Sequence, residues 1–212
     1  MNGRKAFRSF VYQGRDIMIE AHRGNRGSCP ENTLIAFAEA LKAGAGQIEF
    51  DIRAAKDGTV FVFHDATIDR TTDGTGPLSS LRREEVKELD AGSWFSPVFA
   101  GERVPTLGET LDFLKGRARL NIEVKTTDTS DELWKTAVSG AIEEINRREM
   151  WEDVVFSSFS VDALRYVKQS KPSAALGLLD WDFARRLNNK QVLLALGGKY
   201  WLLHTSLLTA AE

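Results

Sequence analysis

Cysteine is almost absent from this chain of 212 residues: Cys29 stands alone, which excludes an intrachain disulfide and fits a reducing compartment. Long apolar runs are missing too. The greasiest stretch, Tyr200 to Leu208, is broken by His204, Thr205 and Ser206, well short of the roughly 18 apolar residues of a membrane span. Arg4, Lys5 and Arg8 are followed by no apolar segment before Asp16, which argues against a signal peptide. There is little excess of either charge: 28 Lys and Arg against 30 Asp and Glu leave −2, so no basic face is expected and no nucleic-acid partner. These absences predict a cytoplasmic protein without a transmembrane segment. The composition, 42% hydrophobic and 27% charged, is that of an ordinary globular chain, long enough for one large domain or two small ones.

What is present is an alternation of strand and helix patterns. Ile17 to Ala21 reads as a first strand ending at His22. Leu34, Phe37, Ala38 and Leu41 fall at helical spacing, with Pro30 and Asn32 to start the helix and Gly44 and Gly46 to stop it. Gln47 to Arg53 and Val60 to Phe63 read as strands joined by the turn Lys56-Asp57-Gly58. Thr67 to Pro105 breaks the alternation and reads as an insertion, with a charged helical piece around Arg82 to Leu89 and the aromatic pair Trp94-Phe95. Capping boxes at Thr106/Glu109 and Thr129/Glu132 then open helices around the strand Leu120 to Lys125. Val154 to Phe159 is a strand, Ser160 caps a helix ending near Ser170, and Ala174 to Leu179 and Trp201 to His204 are strands flanking a helix around Phe183 to Leu196. Such alternation implies parallel pairing with right-handed crossovers. The seven strands counted, with one tight pair around Asp57-Gly58, suit a barrel; a doubly wound sheet lacks its G-x-G-x-x-G after the first strand.

The chemistry-bearing residues cluster at strand ends. Side chains alternate across a strand, so Glu49, Asp51 and Arg53 share one face, and Asn121, Glu123 and Lys125 share another. Buried parallel strands are normally near-continuous apolar runs, and an uncompensated buried ion costs several kcal/mol. For either strand alone, an internal salt bridge (Glu49 with Arg53, or Glu123 with Lys125) would meet that cost. Two such strands, with His22 and His64 ending two more, favour a bound cation and an anionic ligand. Three carboxylates without a ligating cysteine suit a hard ion, Mg²⁺ or Ca²⁺, rather than structural zinc. His22 and His64 are candidate proton carriers, and Arg23 and Lys125 candidate phosphate contacts.

The motifs His22-Arg23-Gly24, Pro30-Glu31-Asn32-Thr33 with Ala36-Phe37, Glu49-x-Asp51, Lys56-Asp57-Gly58 and His64-Asp65 resemble the glycerophosphodiester phosphodiesterase family. So do Arg70-Thr71-Thr72-x-Gly74-x-Gly76, Pro105-Thr106-Leu107 with Glu109, Glu123-x-Lys125, Ser158-Phe159 and Pro172. The resemblance runs in order from about His22 to Asp180. It implies a TIM (β/α)8-type barrel with a small insertion (about 67–105) after the third strand, which releases glycerol 3-phosphate and an alcohol from glycerophosphodiesters. It further implies one divalent cation on Glu49, Asp51 and Glu123, His22 and His64 as the acid/base pair, and Arg23 and Lys125 on the phosphate.

The family's closing Trp-Thr-Val-Asn strand and Gly-Val-Asp-Gly segment have no match here, so the expectation is one barrel domain over 1–212, truncated before its eighth strand. An open barrel edge would allow pairing between copies of the chain. Two alternatives accompany that expectation: a truncated relative that binds metal and phosphate with little or no turnover, and a lysophospholipase D-type activity. His204 reads as a core or rim residue, Cys29 as a small loop residue, and Arg82-Arg83-Glu84-Glu85 as a solvated helix face. Trp94 and Phe95 read either as substrate contacts or as holding the insertion on the barrel. Glu20, on the same face as His22, calls for a cationic partner deeper in the barrel.

Overall fold

A computed structural model describes residues 7–12, 15–126, 133–180, 186–198 and 200–203. Alternation within two strands organises it. In β4 (Gln47–Ala54) and β6 (Arg119–Val124), Ile48, Phe50, Ile52, Leu120, Ile122 and Val124 all point to one side and are buried. Burying each contributes about 1.5–3 kcal/mol, enough together to offset the several kcal/mol that the charged row on the opposite side costs.

Around this pair the main sheet runs in the order β3 (Glu20–His22), β4, β6, β7 (Val154–Ser158), β8 (Ala175–Asp180) and β9 (Tyr200–Leu203), all neighbours parallel. The apolar side is covered by α1 (Leu34–Lys42), α3 (Leu107–Leu114), α4 (Leu133–Arg148) and α5 (Val161–Ser170), with α6 (Arg186–Ala195) between β8 and β9. This is the TIM (β/α)8-type arrangement expected; among the described residues β3 and β9 are the two ends of the sheet. The apolar stripe of α4 is as expected at Val138, Ala141 and Ile145, all buried. The predicted cap of that helix at Thr129 and Glu132 lies outside the described residues, as does His204.

Two local expectations change and a third gains detail. Ile17 does not belong to the first barrel strand: β2 (Arg15–Ile17) pairs with β1 (Phe10–Tyr12) as an antiparallel hairpin, and β3 begins only at Glu20. Ile17, Met18 and Ile19 run apolar up to Glu20, but the chain changes partner at Ile19, whose carbonyl accepts the Gly46 and Gln47 N–H groups at 3.1 and 3.2 Å. Helix α1 is capped by Thr33 rather than by Pro30 or Asn32; its hydroxyl accepts the Ala36 N–H at 3.3 Å. The strand near Val60 is β5 (Val60–Val62), which pairs antiparallel with β4 across the turn at Asp57-Gly58, as the tight pair expected there, and lies off the parallel path. Its alternation serves two cores: Val60 and Val62 join the main one, and Phe61 joins a second with Phe63, Ile68, Leu78, Val86, Ala91 and Val104.

Residues 67–105 are built over that second core and contribute isolated bridges but no strand to the sheet. The short α2 (Arg83–Glu88) buries Val86 and exposes Arg83, Glu84 and Glu85, the solvated face expected. Trp94 packs edge-on against Phe95 at 5.6 Å, and Phe95 against Phe99 at 5.7 Å, so these aromatics serve the segment's own packing.

Candidate active site

The register of β4 and β6 sets Asp51 directly opposite Glu123, with Glu49 one step back beside Asn121. One carboxylate oxygen from each of Glu49, Asp51 and Glu123 lies within 4.8 Å of the others, and all three residues are buried. Three carboxylates so close repel one another, and burial adds to the cost of ionising them. Burial and the charges of Asp51 and Glu123 hold Glu49 well above the usual carboxylate range. Burial and the Asp51 charge push Glu123 up to about 7, against the opposing pull of Lys125. For Asp51, burial acts upward but is outweighed by Lys125 and Arg23, so its carboxyl sits below the usual range.

Ion pairing accounts for only part of this cluster. Lys125 Nζ lies 2.5 Å from Glu123 Oε1 and 3.0 Å from Asp51 Oδ1, and Arg23 Nε lies 3.3 Å from Asp51 Oδ2. Glu49 has no such cation. Arg53 turns away from it and donates its Nε–H to the His64 carbonyl at 2.8 Å, so the Glu49–Arg53 bridge does not form. Glu49 Oε2 accepts the Arg23 backbone N–H at 2.8 Å, while its Oε1 is buried with neither an ion pair nor a hydrogen bond; Asp51 Oδ1, also buried, has only the Lys125 ion pair. Buried carboxylate oxygens left without a donor are costly. Oxygen-only ligands, one of them an oxygen of Glu49 with no partner, fit a hard divalent cation.

Four further residues surround the triad. His22 ends β3 opposite Glu49, its Nε2 3.7 Å from Glu49 Oε2. Its ring is half-exposed, and partial burial together with the Arg23 and Arg26 charges brings its pKa down to about 4. Arg23 follows in the left-handed region at φ 58°. Gly24, at φ 76°, sits where a Cβ would come within 2.7 Å of the Ala36 carbonyl carbon, so the His22-Arg23-Gly24 turn is seated directly on α1. His64 follows β5; burial lowers its pKa although the Asp51 charge and Asp65 act upward, and its Nδ1 lies 2.5 Å from Asp65 Oδ1. The structure therefore gathers Glu49, Asp51, Glu123, His22, Arg23, His64 and Lys125 around one point on the polar side of the sheet.

Sequence reasoning missed Asn32 as a member of this group. Its position in the sequence suggests a helix starter, yet its Nδ2 donates to Asp51 Oδ2 at 2.9 Å from a buried position at φ 58°. An Asn in the left-handed region was the available signal, and it is visible only once φ is known. Glu20 pairs with amides rather than the cation expected: Gln47 Nε2 donates to it at 2.5 Å, and Asn121 is a second partner. Cys29 is buried in the loop after Gly24, its N–H bonded to the Asn25 carbonyl at 3.0 Å.

The family model described as the glycerophosphoryl diester phosphodiesterase family matches residues 22–209. The chain belongs to this family. A relative from Caldanaerobacter subterraneus subsp. tengcongensis, named a glycerophosphodiester phosphodiesterase, is 42% identical over 163 residues, covering 76% of this chain and 66% of that protein. One of the same name from Bacillus subtilis is 35% identical over 167 residues, covering 74% of this chain and 57% of that protein. The chain thus spans less than two thirds of these family members' length. Among solved structures, an Oleispira antarctica phosphodiesterase in complex with the product sn-glycerol-3-phosphate superposes with a TM-score of 0.82 at 31% identity, covering 91% of this chain and 76% of that one. Among the described residues, no helix of this family member is long and apolar enough to cross a membrane.

Proposed function

We propose that this chain hydrolyses glycerophosphodiesters to an alcohol and glycerol 3-phosphate, with a divalent cation held by Glu49, Asp51 and Glu123. The observation that carries the reading is the buried, unpaired Oε1 of Glu49 within a cluster of three carboxylates. A structural salt-bridge network would leave no such atom. Family membership and the Oleispira product complex support the substrate class.

A cation bound there would supply Lewis-acid chemistry, lowering the pKa of a glycerol hydroxyl and drawing charge from the phosphate. Arg23 and Lys125 orient the phosphate. Lys125 has three N–H donors and directs its ammonium at Glu123 and Asp51, leaving one for a phosphate oxygen. Both histidines have lowered pKa values, so the ligand-free site holds them neutral near pH 7, ready to accept a proton. An anionic phosphate raises both again. His64, with Asp65 behind its Nδ1, is the better placed to carry the second proton as an acid. His22, without such a partner and beside two arginines, suits the base. In this scheme His22 takes the glycerol hydroxyl proton as that oxygen attacks phosphorus in line, and His64 protonates the departing alcohol. Water then opens the cyclic phosphate with the roles exchanged.

Turnover of glycerophosphocholine and glycerophosphoethanolamine by the wild-type protein and by His64→Ala tests the assignment. Loss of a general acid lowers kcat by about 10²–10⁴-fold, with metal affinity measured by calorimetry unchanged. Equal turnover by His64→Ala would remove His64 from the reaction.

A further inference from the structure

Two of the proposed reacting groups sit on turns that the sheet does not tie together. His22 ends β3 with Arg23 just after it, His64 follows β5, and both strands pair with β4 rather than with each other. We propose that Arg70 is a positioning residue that straps these turns together through Glu31 and Asp65. The proposal rests on the reading above for the importance of His64, but the strap itself is defined by geometry.

Arg70 reaches both turns at once. Its Nη2 and Nη1 fork onto Glu31 at 2.7 and 3.1 Å, and its Nε donates to Asp65 Oδ2 at 2.5 Å. Glu31 Oε1 also accepts from Arg23 Nη1 at 3.0 Å, and Asp65 Oδ1 holds His64 Nδ1 at 2.5 Å. The result is an unbroken row, Arg23, Glu31, Arg70, Asp65, His64, in which donors and acceptors alternate. Arg70, its central member, is anchored by the chain that follows it: Thr71 and Thr72 are buried, and the Thr72 hydroxyl donates to the Ile68 carbonyl at 2.6 Å.

The row also fixes a proton. Asp65 is pulled down to about 2 by its bonds to Arg70 and His64, against the upward effect of burial, so it is ionised and can only accept. His64 must therefore donate from Nδ1, leaving Nε2 free to exchange a proton with substrate. A planar guanidinium is needed, because three donors in a fixed fork serve two carboxylates, whereas an ammonium is a point charge on a flexible stem.

The test combines kinetics with ¹⁵N NMR of histidine-labelled protein, in which His22, His64 and His204 are the only rings to assign. In Arg70→Ala the His64 signal should move from the Nδ1–H form to a mixture of tautomers at neutral pH. Turnover of glycerophosphocholine should fall about 10–100-fold with KM within about threefold, as misplacement of a reacting group does. Arg70→Lys should not restore either readout, and it decides by the same criteria if the alanine variant does not fold. Wild-type tautomer and wild-type turnover in the variant would overturn the strap. Lost turnover with an unchanged His64 tautomer would overturn its route through Asp65. If the wild-type protein releases no glycerol 3-phosphate while the tautomer still shifts on substitution, the hydrolase reading fails and the strap stands.

Discussion

Replacing Glu49 with Gln should change stability in opposite directions with and without a metal. Glutamine keeps the shape, and its carbonyl oxygen can still accept the Arg23 N–H that Glu49 Oε2 takes at 2.8 Å. Its amide then occupies the place of the unpaired Oε1, where it can donate toward Asp51 and Glu123 instead of repelling them. Relieving one unsatisfied buried acceptor is worth about 1–3 kcal/mol, and a chain of this size gains about 2–4 °C in Tm per kcal/mol. In chelator, Glu49→Gln should therefore melt roughly 2–12 °C above the wild type. With Mg²⁺ or Ca²⁺ at about 100 times Kd, the wild type gains about 2.7 kcal/mol from binding, and the variant, short of one charged ligand, should lose most of that gain. Thermal melts of both proteins in EDTA and in either metal read the effect. A variant that melts below the wild type in EDTA, or shows the full metal-induced rise, would refute the reasoning.

Three other perturbations follow from named groups. Glu123 is raised from 4.5 to about 7 in the folded protein, so the stability it contributes is fully present below about pH 4.5 and is lost as pH rises through 7. The Tm of the chelated protein should fall between those values, and saturating metal should remove that slope. Asp65 has the opposite sign: its folded pKa of about 2 lies below the ordinary 3.8, so its contribution is present above 3.8 and fades as pH falls toward 2. Asp65→Asn should flatten the acid decline seen in a pH series of melts. Gly24→Ala, at φ 76° with a Cβ 2.7 Å from the Ala36 carbonyl carbon, should cost more than about 1 kcal/mol and lower activity along with Tm, because the displaced turn carries His22 and Arg23.

Local patterns in the chain foretold what depends on local patterns. The charged rows of β4 and β6 were legible because strand parity is fixed at two residues, and the parallel register then brought Asp51 opposite Glu123. The capping box at Thr106 and Glu109 and the cap at Ser160 were legible for the same reason: each is closed within four residues. What depends on distant partners was not. The antiparallel return of β5 follows from the short turn at Lys56-Asp57-Gly58, but its burial between the main core and the second one does not, nor does the start of β3, which is set by where Ile19 meets Gly46 and Gln47. Asn32 serves Asp51 across 19 residues, and Arg70 serves Glu31 across 39, so neither role has a local signature. The Glu49–Arg53 bridge had the right spacing, but Arg53 found the His64 carbonyl instead.

The most direct measurement is release of glycerol 3-phosphate from glycerophosphocholine and glycerophosphoethanolamine by metal-stripped protein, followed as Mg²⁺ or Ca²⁺ is added back. The account predicts no release in chelator, saturable release as the metal is restored, and none from Glu49→Ala at any metal concentration. Undiminished hydrolysis in chelator, or no hydrolysis of either diester at saturating metal, would contradict it.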